Sequence, residues 1–281
     1  SGILNGEGTC LIGPGVVVDP KVLLGEIDLL KAKNINTENL LISDRAHIIM
    51  PYHRTIDEYK ENSSKGNKIG TTKRGIGPCY ADKISRVGIR ACDLLDLDVF
   101  ARKLRINVEE KNDLFEKVYG LPKINFDEIF EEYKGYIEKL KNRIVDSVSM
   151  VNKAIKDKKF VLFEGAQGNM LDVDYGTYPY VTSSSPIAGG CTVGAGVSPM
   201  CVDKIIGVMK AYVTRVGEGP FPSELTDSTG ERIREIGAEF GATTGRPRRC
   251  GWFDGVVGRY SVMVSGITDI VLTKIDVLSG F

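Results

Sequence analysis

The chain has 281 residues, 42% hydrophobic and 26% charged, the composition of a soluble globular protein with room for one large α/β domain or two small ones. Its 37 basic and 37 acidic side chains balance, which argues against a nucleic-acid footprint, although a few local arginines suffice for a small anion. No apolar run approaches the roughly 20 residues of a membrane span, and six cysteines without a CxxC pair or Cys/His cluster read as free thiols in a reducing cytoplasm, not as zinc ligands.

Thr9–Ile12 and Val16–Val18 read as short strands around a Gly-Pro-Gly turn. Asp19-Pro20 then starts a helix, a capping residue followed by Pro at the first helical position, which carries Val22, Leu23, Ile27, Leu29 and Leu30 to about Lys33. Leu40-Leu41-Ile42 is the next buried strand, followed by a polar helix from Tyr52 to Asn62 and a Gly-rich loop from Gly66 to Pro78. The segment from Asp98 to Lys158 is expected to be largely helical. Phe100, Leu104, Leu114, Phe115, Val118, Ile129, Phe130, Tyr133, Ile137, Leu140, Ile144, Val148 and Val151 fall mostly three or four apart and form core stripes.

Lys159–Phe163 reads as a buried strand running into Glu164-Gly165-Ala166-Gln167-Gly168. Ile205–Val213 is a second, ending in Thr214-Arg215-Val216-Gly217, and Ile270–Leu272 a third, ending in Thr273-Lys274-Ile275-Asp276. Helices are expected at Thr229–Phe240 and Asp254–Val264. Continuous apolar strands alternating with helices predict an α/β fold with a mainly parallel sheet covered on both faces, and ligands in such sheets sit at the carboxyl ends of strands. No linker or charge run divides the chain, so a single domain over 1–281 is expected. Ser1-Gly2-Ile3-Leu4 reads like a protein interior and Gly280-Phe281 follows an apolar run, so the chain is read as truncated at both ends.

Gly241-Ala242-Thr243-Thr244-Gly245-Arg246-Pro247-Arg248-Arg249 packs two glycines, two hydroxyls and three guanidiniums into nine residues, donors suited to carboxylate or phosphate. Ile69–Pro78 repeats that Gly/Thr/Arg chemistry. In Thr273-Lys274-Ile275-Asp276 the Asp carboxylate can accept two N–H bonds from a guanine edge while the Lys stem lies over the ring, with a surface ion pair as the bland alternative. Gln167 can donate and accept at once, which suits a purine carbonyl or a simple exposed turn. A GxxxxGK[ST] phosphate loop is absent from the sequence.

Gly75-Ile76-Gly77-Pro78-Cys79-Tyr80-Ala81-Asp82-Lys83-Ile84-Ser85-Arg86 resembles the GIGPxYxxKxxR signature of adenylosuccinate synthetases. Phe163–Gly168, Gly176–Ser184, Gly219–Leu225, Phe240–Arg246 and Thr273–Asp276 resemble further family motifs in the family's order. The resemblance spans essentially the whole chain. It implies a P-loop-NTPase-like architecture with a largely helical insertion around 98–158, and GTP-driven condensation of IMP with L-aspartate to adenylosuccinate in purine biosynthesis. By resemblance, Thr72 and Thr182 hold the IMP phosphate, Gln167 contacts the purine near O6, Val216 lines the IMP site and Arg246 meets the ribose. Arg86 reaches the phosphate of IMP bound in the partner subunit of a homodimer. Ala242, Thr243, Thr244, Gly245, Arg246, Pro247 and Arg248 form the aspartate loop. Arg248 bridges towards GTP, and Lys274, Ile275 and Asp276 bind guanine. Lys83 and Gln167 are the candidate catalytic residues.

The family's GDEGKGK phosphate loop, with its catalytic Asp and Mg²⁺ ligand, and its catalytic His have no match here. Mg²⁺ ligands are therefore expected in a missing N-terminal segment, no metal ligand is assigned in this chain, and the chain by itself is expected to be inactive. His47 and His53 are expected to have structural or surface roles. The competing readings are a guanine-nucleotide-binding regulatory protein and a non-catalytic binding or dimerisation module.

Overall fold

The structure, a computed structural model, describes residues 2–6, 8–63, 70–241 and 245–281. In chain order these form β1 (Cys10–Ile12), β2 (Val17–Val18), α1 (Pro20–Ala32), β3 (Leu40–Ser43), β4 (His47–Ile48), α2 (Pro51–Ser63), α3 (Ile76–Ser85), α4 (Leu97–Leu114), α5 (Phe126–Leu140), β5 (Ile144–Val145), α6 (Ser147–Lys156) and α7 (Gly189–Ala195). Then follow β6 (Ile206–Lys210), β7 (Tyr212–Arg215), α8 (Ser228–Ile236), β8 (Arg249–Trp252), α9 (Gly255–Ser265) and β9 (Asp269–Thr273). This is an α/β fold in which three of the four small sheets are parallel. The chain divides into two compact units, Ser1–Lys60 with Lys73–Leu162 and Val193–Val197, and Glu61–Thr72 with Phe163–Thr192 and Ser198–Phe281.

In the first unit β1, β3 and β5 form one parallel sheet and β2 and β4 another. Asp19 caps α1 as its Asp-Pro start predicts, Oδ1 accepting from the Lys21 and Val22 amides at 3.0 and 3.2 Å. Leu23 and Ile27 of α1, Phe100 and Leu104 of α4, and Ile129, Tyr133, Ile137 and Leu140 of α5 close over Ile42, Ile48 and Tyr52 in one core. Tyr133 is buried and spends its hydroxyl on the Ile49 carbonyl at 2.7 Å. The predicted stripe breaks at Val118, which is 66% exposed. A π-turn over Phe115–Tyr119 widens the helical turn there, so a residue three past buried Phe115 no longer lies on its face.

In the second unit β6 pairs in parallel with β9, Ile206↔Asp269 to Lys210↔Thr273, and β7 pairs antiparallel with β8, Tyr212↔Trp252 to Arg215↔Arg249. The single strand predicted over Ile205–Val213 is thus two strands in two sheets. The chain breaks at Ala211, whose amide goes to the Thr273 carbonyl, and then turns to meet β8. Lys159–Phe163, read as a buried strand, makes no ladder among the described residues, and Phe160 and Leu162 stand exposed. β-propensity marks a segment that fits a sheet, and pairing still decides whether it is a strand. Burial on both faces fails at β6 and β9 for the same reason: they form a two-stranded ribbon, and Val208 and Val271 remain exposed. The Gly-rich loop predicted to run to Pro78 ends at Gly75, because Ile76, Gly77 and Pro78 already form the first turn of α3. Its residues 64–69 lie outside the described residues. The helix predicted to Phe240 ends at Ile236.

Candidate active site

Four of the sequence-predicted elements meet at one end of the β7–β8 ladder. Arg215 closes β7 directly opposite Arg249, which opens β8, so Val216 and Arg248 extend the two strands side by side. Two guanidiniums paired across a sheet repel, and here other groups offset the repulsion. Arg249 forks onto the Glu224 carboxylate, with Nε at 2.7 Å from Oε1, and Nη1 donates to the Gly219 carbonyl at 2.9 Å. The Arg215 guanidinium donates through Nε to the Glu218 carbonyl at 2.8 Å, and through Nη2 to Thr177 Oγ1 and the Tyr180 carbonyl, both at 3.0 Å.

Arg215 thereby fastens the 177–180 turn, and with it the segment carrying Thr182, to the loop after Val216. Thr182 itself is half-buried, its amide bonded to the Leu171 carbonyl at 2.8 Å. The segment leading to Thr72 lies against the same loop. A Cβ on Gly70, which has φ +83°, would come within 3.3 Å of the Gly217 Cα. The structure thus sets Gly70, two residues before Thr72, and the turn before Thr182 against the strand end and loop around Val216.

Gln167 sits at a tight turn with φ +60°, exposed. Two residues on, Asn169 holds the turn to α9 by donating to Ser265 Oγ at 2.8 Å and the Ser261 carbonyl at 3.1 Å. Asp172 is fully buried; its Oδ1 accepts from the Asp174 and Tyr175 amides and its Oδ2 from the Ile187 amide, which shapes the loop that presents Thr182.

The Gly/Thr/Arg loop leaves α8 through Gly237, Ala238 and Glu239 and returns into β8. Ala242, Thr243 and Thr244 lie outside the described residues. What is described is the loop's neck. The Arg248 amide donates to the Glu239 carbonyl at 2.9 Å, Phe240 and Pro247 form an antiparallel bridge, and the Gly241 amide donates to the Arg246 carbonyl at 2.8 Å. Gly245 has φ +63°, where glycine carries no Cβ penalty, and Arg246 and Pro247 are exposed. Arg248 is half-buried, with Nη1 2.7 Å from Glu239 Oε2.

Parallel pairing puts Lys210 beside Thr273, so the carboxyl end of β9 opens next to that of β6. Lys274 follows with φ +61°, and its Nζ donates to the Gly237 carbonyl at 2.7 Å, at the carboxyl end of α8 where a cation is favoured. The ammonium is thus anchored and the exposed stem is left as a platform. Val277 is buried with Tyr212, Ile233 and Cys250, and that turns Ile275 and Asp276 outward. The Asp276 carboxylate accepts no hydrogen bond from any described side chain.

Lys83 and Arg86 belong to the first unit. Gly75 opens α3 at φ +77°, its amide donating to Asp57 Oδ2 at 2.9 Å, and a Cβ there would strike the Arg54 amide at 2.8 Å. Lys83 lies over the Tyr80 ring at 5.6 Å, and burial followed by the charge of Arg90 lowers its pKa. Arg86 is exposed and ends α3 in the left-handed region at φ +66°. Asp82 ties the helix down, accepting from His53 Nε2 and Lys111 Nζ, each at 3.0 Å. Burial pushes the Asp82 carboxyl up, but those bonds and charges outweigh it and hold it below the usual range.

Both histidines are buried, so only the structural half of their expected role is realised. His53 Nδ1 accepts from the Met50 amide at 2.9 Å, which leaves the proton on Nε2 facing Asp82. Burial, then Lys83 and Arg90, brings His47 down to about 4.

Seven described residues other than glycine have positive φ, and Arg86, Gln167 and Lys274 are three of them. Such backbone is uncommon for side-chain-bearing residues and concentrates at functional positions. Sequence reasoning missed Glu239, Lys210, Asp172 and the role of Arg215. No group of three or more His, Cys, Asp or Glu among the described residues could hold a metal ion. No helix among them is long and apolar enough to cross a membrane.

The family model for adenylosuccinate synthetase matches residues 1–281. The chain is 64% identical over 280 residues to an adenylosuccinate synthetase of Fusobacterium nucleatum and 58% identical over 281 residues to one of Desulfitobacterium hafniense. In each case the match covers 100% of this chain and 66% of the relative. The chain thus spans just under two thirds of the length of these curated relatives. Its fold matches the structure of a fully ligated adenylosuccinate synthetase from Plasmodium falciparum with a TM-score of 0.89 and 41% identity, over 96% of this chain and 63% of that one.

Proposed function

Since the chain belongs to the adenylosuccinate synthetase family, we propose that the full-length protein carrying it joins IMP to L-aspartate, with GTP as the driving nucleotide, to give adenylosuccinate, GDP and phosphate. The observation that carries this reading is the end of the β7–β8 ladder, where Val216 and Arg248 continue the paired strands and the segments leading to Thr72 and Thr182 are held against the loop after Val216.

The C6 oxygen of IMP is a poor leaving group. Transfer of the γ-phosphoryl of GTP to O6 breaks the Pγ–O bond to GDP, releases the N1 proton of the purine and makes O6 part of a phosphate. The aspartate amine then attacks C6, the C6–O6 bond breaks, phosphate departs, and the amine gives up a proton. Charge builds on oxygen in both steps, so fixed donors are the main requirement. Gln167, held outward by its left-handed turn, supplies a donor at O6. Arg246 and Arg248, with Ala242, Thr243, Thr244, Gly245 and Pro247, take the aspartate carboxylates. Lys274 supplies its anchored stem as a platform for the guanine ring, beside Ile275, and Asp276 accepts from the guanine edge. Burial and then the charge of Arg90 lower the pKa of Lys83, a perturbation of the kind that gathers at functional positions.

Arg86 acts on IMP bound in the partner subunit of a homodimer. Its exposure and its unfavourable backbone conformation support a role outside its own helix. Mg²⁺ supplies charge neutralisation at the transferring phosphoryl when bound. No group of three or more His, Cys, Asp or Glu among the described residues offers it a site. The free thiols of Cys10, Cys79, Cys92, Cys191, Cys201 and Cys250 support a cytoplasmic location. The test is an adenylosuccinate assay on the full-length protein, omitting IMP, aspartate and GTP in turn. Each omission abolishes product. Product without GTP, or with ATP equally well, overturns the reading.

A further inference from the structure

Glu239 is a buried carboxylate that the reaction does not use. Its side chain is 2% exposed and accepts four hydrogen bonds from three side chains. Lys210 Nζ from β6 lies 2.8 Å from both oxygens, the Tyr212 hydroxyl from β7 2.5 Å from Oε1, and Arg248 Nη1 2.7 Å from Oε2. Its own carbonyl takes the Arg248 amide, and Arg234 Nε holds the Arg248 carbonyl at 2.8 Å. One side chain therefore bolts both limbs of the 239–248 loop, at its narrowest point, to two strands of two different sheets. The approach is tight. Gly237 lies so near that a Cβ on it would sit 2.4 Å from the Tyr212 hydroxyl. A buried ion pair is a poor way to gain stability, since an apolar set of the same shape does as well, so its use here asks for another explanation.

Arg248 spends only Nη1 on Glu239. Its Nε and Nη2 make no hydrogen bond to any described residue, and they remain as a fork for an anion. We propose that Glu239 is a positioning residue: it fixes Arg248 and the root of the 241–247 loop before substrate arrives, so that the ordering cost is met in folding and not in binding. The proposal rests on the reading of that loop as the aspartate site.

The test uses the full-length enzyme with Glu239→Gln and Glu239→Asp. Gln keeps the shape and loses the charge. Asp keeps the charge and shortens the reach. The first readout is hydrogen exchange of the Gly241 and Arg248 amides, and the second is the set of Michaelis constants. Glu239→Gln is expected to speed exchange at both amides while amides of β1 and β3 stay as they were. It should raise the aspartate KM by roughly 10- to 100-fold, the size of a lost charge-assisted bond, with the IMP KM within about twofold. Glu239→Asp recovers part of both effects. Unchanged exchange at Gly241 and Arg248 overturns the proposal, as does an equal rise in the KM of IMP, GTP and aspartate accompanied by a lower melting temperature. Faster loop exchange with an unchanged aspartate KM keeps Glu239 as the loop's anchor and overturns instead the aspartate reading.

Discussion

Arg86→Gly should make the protein more stable and less able to use IMP. Arg86 ends α3 at φ +66°, with its amide bonded back to the Lys83 and Asp82 carbonyls, and its side chain is exposed. An L-residue in that conformation costs about 1–2 kcal/mol. Glycine removes that cost but gives back about 0.4–1 kcal/mol through the freedom of the unfolded chain. The net expectation is a gain of about 0.5–1 kcal/mol, read as a higher urea midpoint at unchanged slope. On the proposed role of Arg86 at the IMP phosphate, the same change removes a charge-assisted contact of about 1.5–3 kcal/mol, so the IMP KM should rise roughly tenfold to over a hundredfold. Arg86→Ala separates the two effects, because it keeps the Cβ and loses the charge. Its stability should match the parent within about 0.5 kcal/mol, and its IMP KM should match the glycine variant's. A glycine variant less stable than the parent, or an IMP KM unmoved by both changes, refutes the argument that Arg86 is held in an unfavourable conformation for the sake of its charge.

Stability should also fall with pH below neutrality. His47 is held at about 4 by burial and then by Lys83 and Arg90, so between pH 6.5 and 4 the unfolded chain binds a proton that the folded one refuses. The loss reaches about 3 kcal/mol over that window, and burial lowers His53 too, which acts in the same direction. Urea titrations at several pH values check this, and His47→Gln should flatten the slope. Asp276→Asn should weaken GTP and favour xanthine nucleotide, because the amide donates where the carboxylate only accepts; equal GTP and XTP preferences in parent and variant would make Asp276 a surface feature. Mixing Arg86→Leu with a variant disabled at Gln167 should restore some activity if the two residues come from different subunits at each site. No recovery despite proven subunit exchange would put Arg86 to work in its own chain or not at all.

Local signals read well from the sequence. Asp19-Pro20 starts a helix because the cap and the proline act within three residues, and the stripe of Ile129, Tyr133, Ile137 and Leu140 is buried as its spacing says. The end of β9 was legible for the same reason, as polar residues directly after an apolar run, whereas β7 runs through Thr214 and Arg215, which were read as lying past a strand end. Glu239 was not, because two of its three side-chain partners lie 29 and 27 residues upstream and nothing near it in sequence announces burial. Lys159–Phe163 shows the opposite failure. Its composition suits a strand, but whether it becomes one depends on a partner strand that composition does not name. The positive φ at Gln167 and Lys274 was equally out of reach, since neither is a residue type that advertises such a turn.

The central claim is that O6 of IMP leaves as part of a phosphate. The most direct measurement follows that atom. IMP labelled with ¹⁸O at C6 is converted by the full-length protein with GTP and aspartate, and the inorganic phosphate released is examined by mass spectrometry. The account predicts one ¹⁸O per phosphate, equal in amount to the adenylosuccinate formed. Unlabelled phosphate, with the ¹⁸O recovered in water, would contradict it.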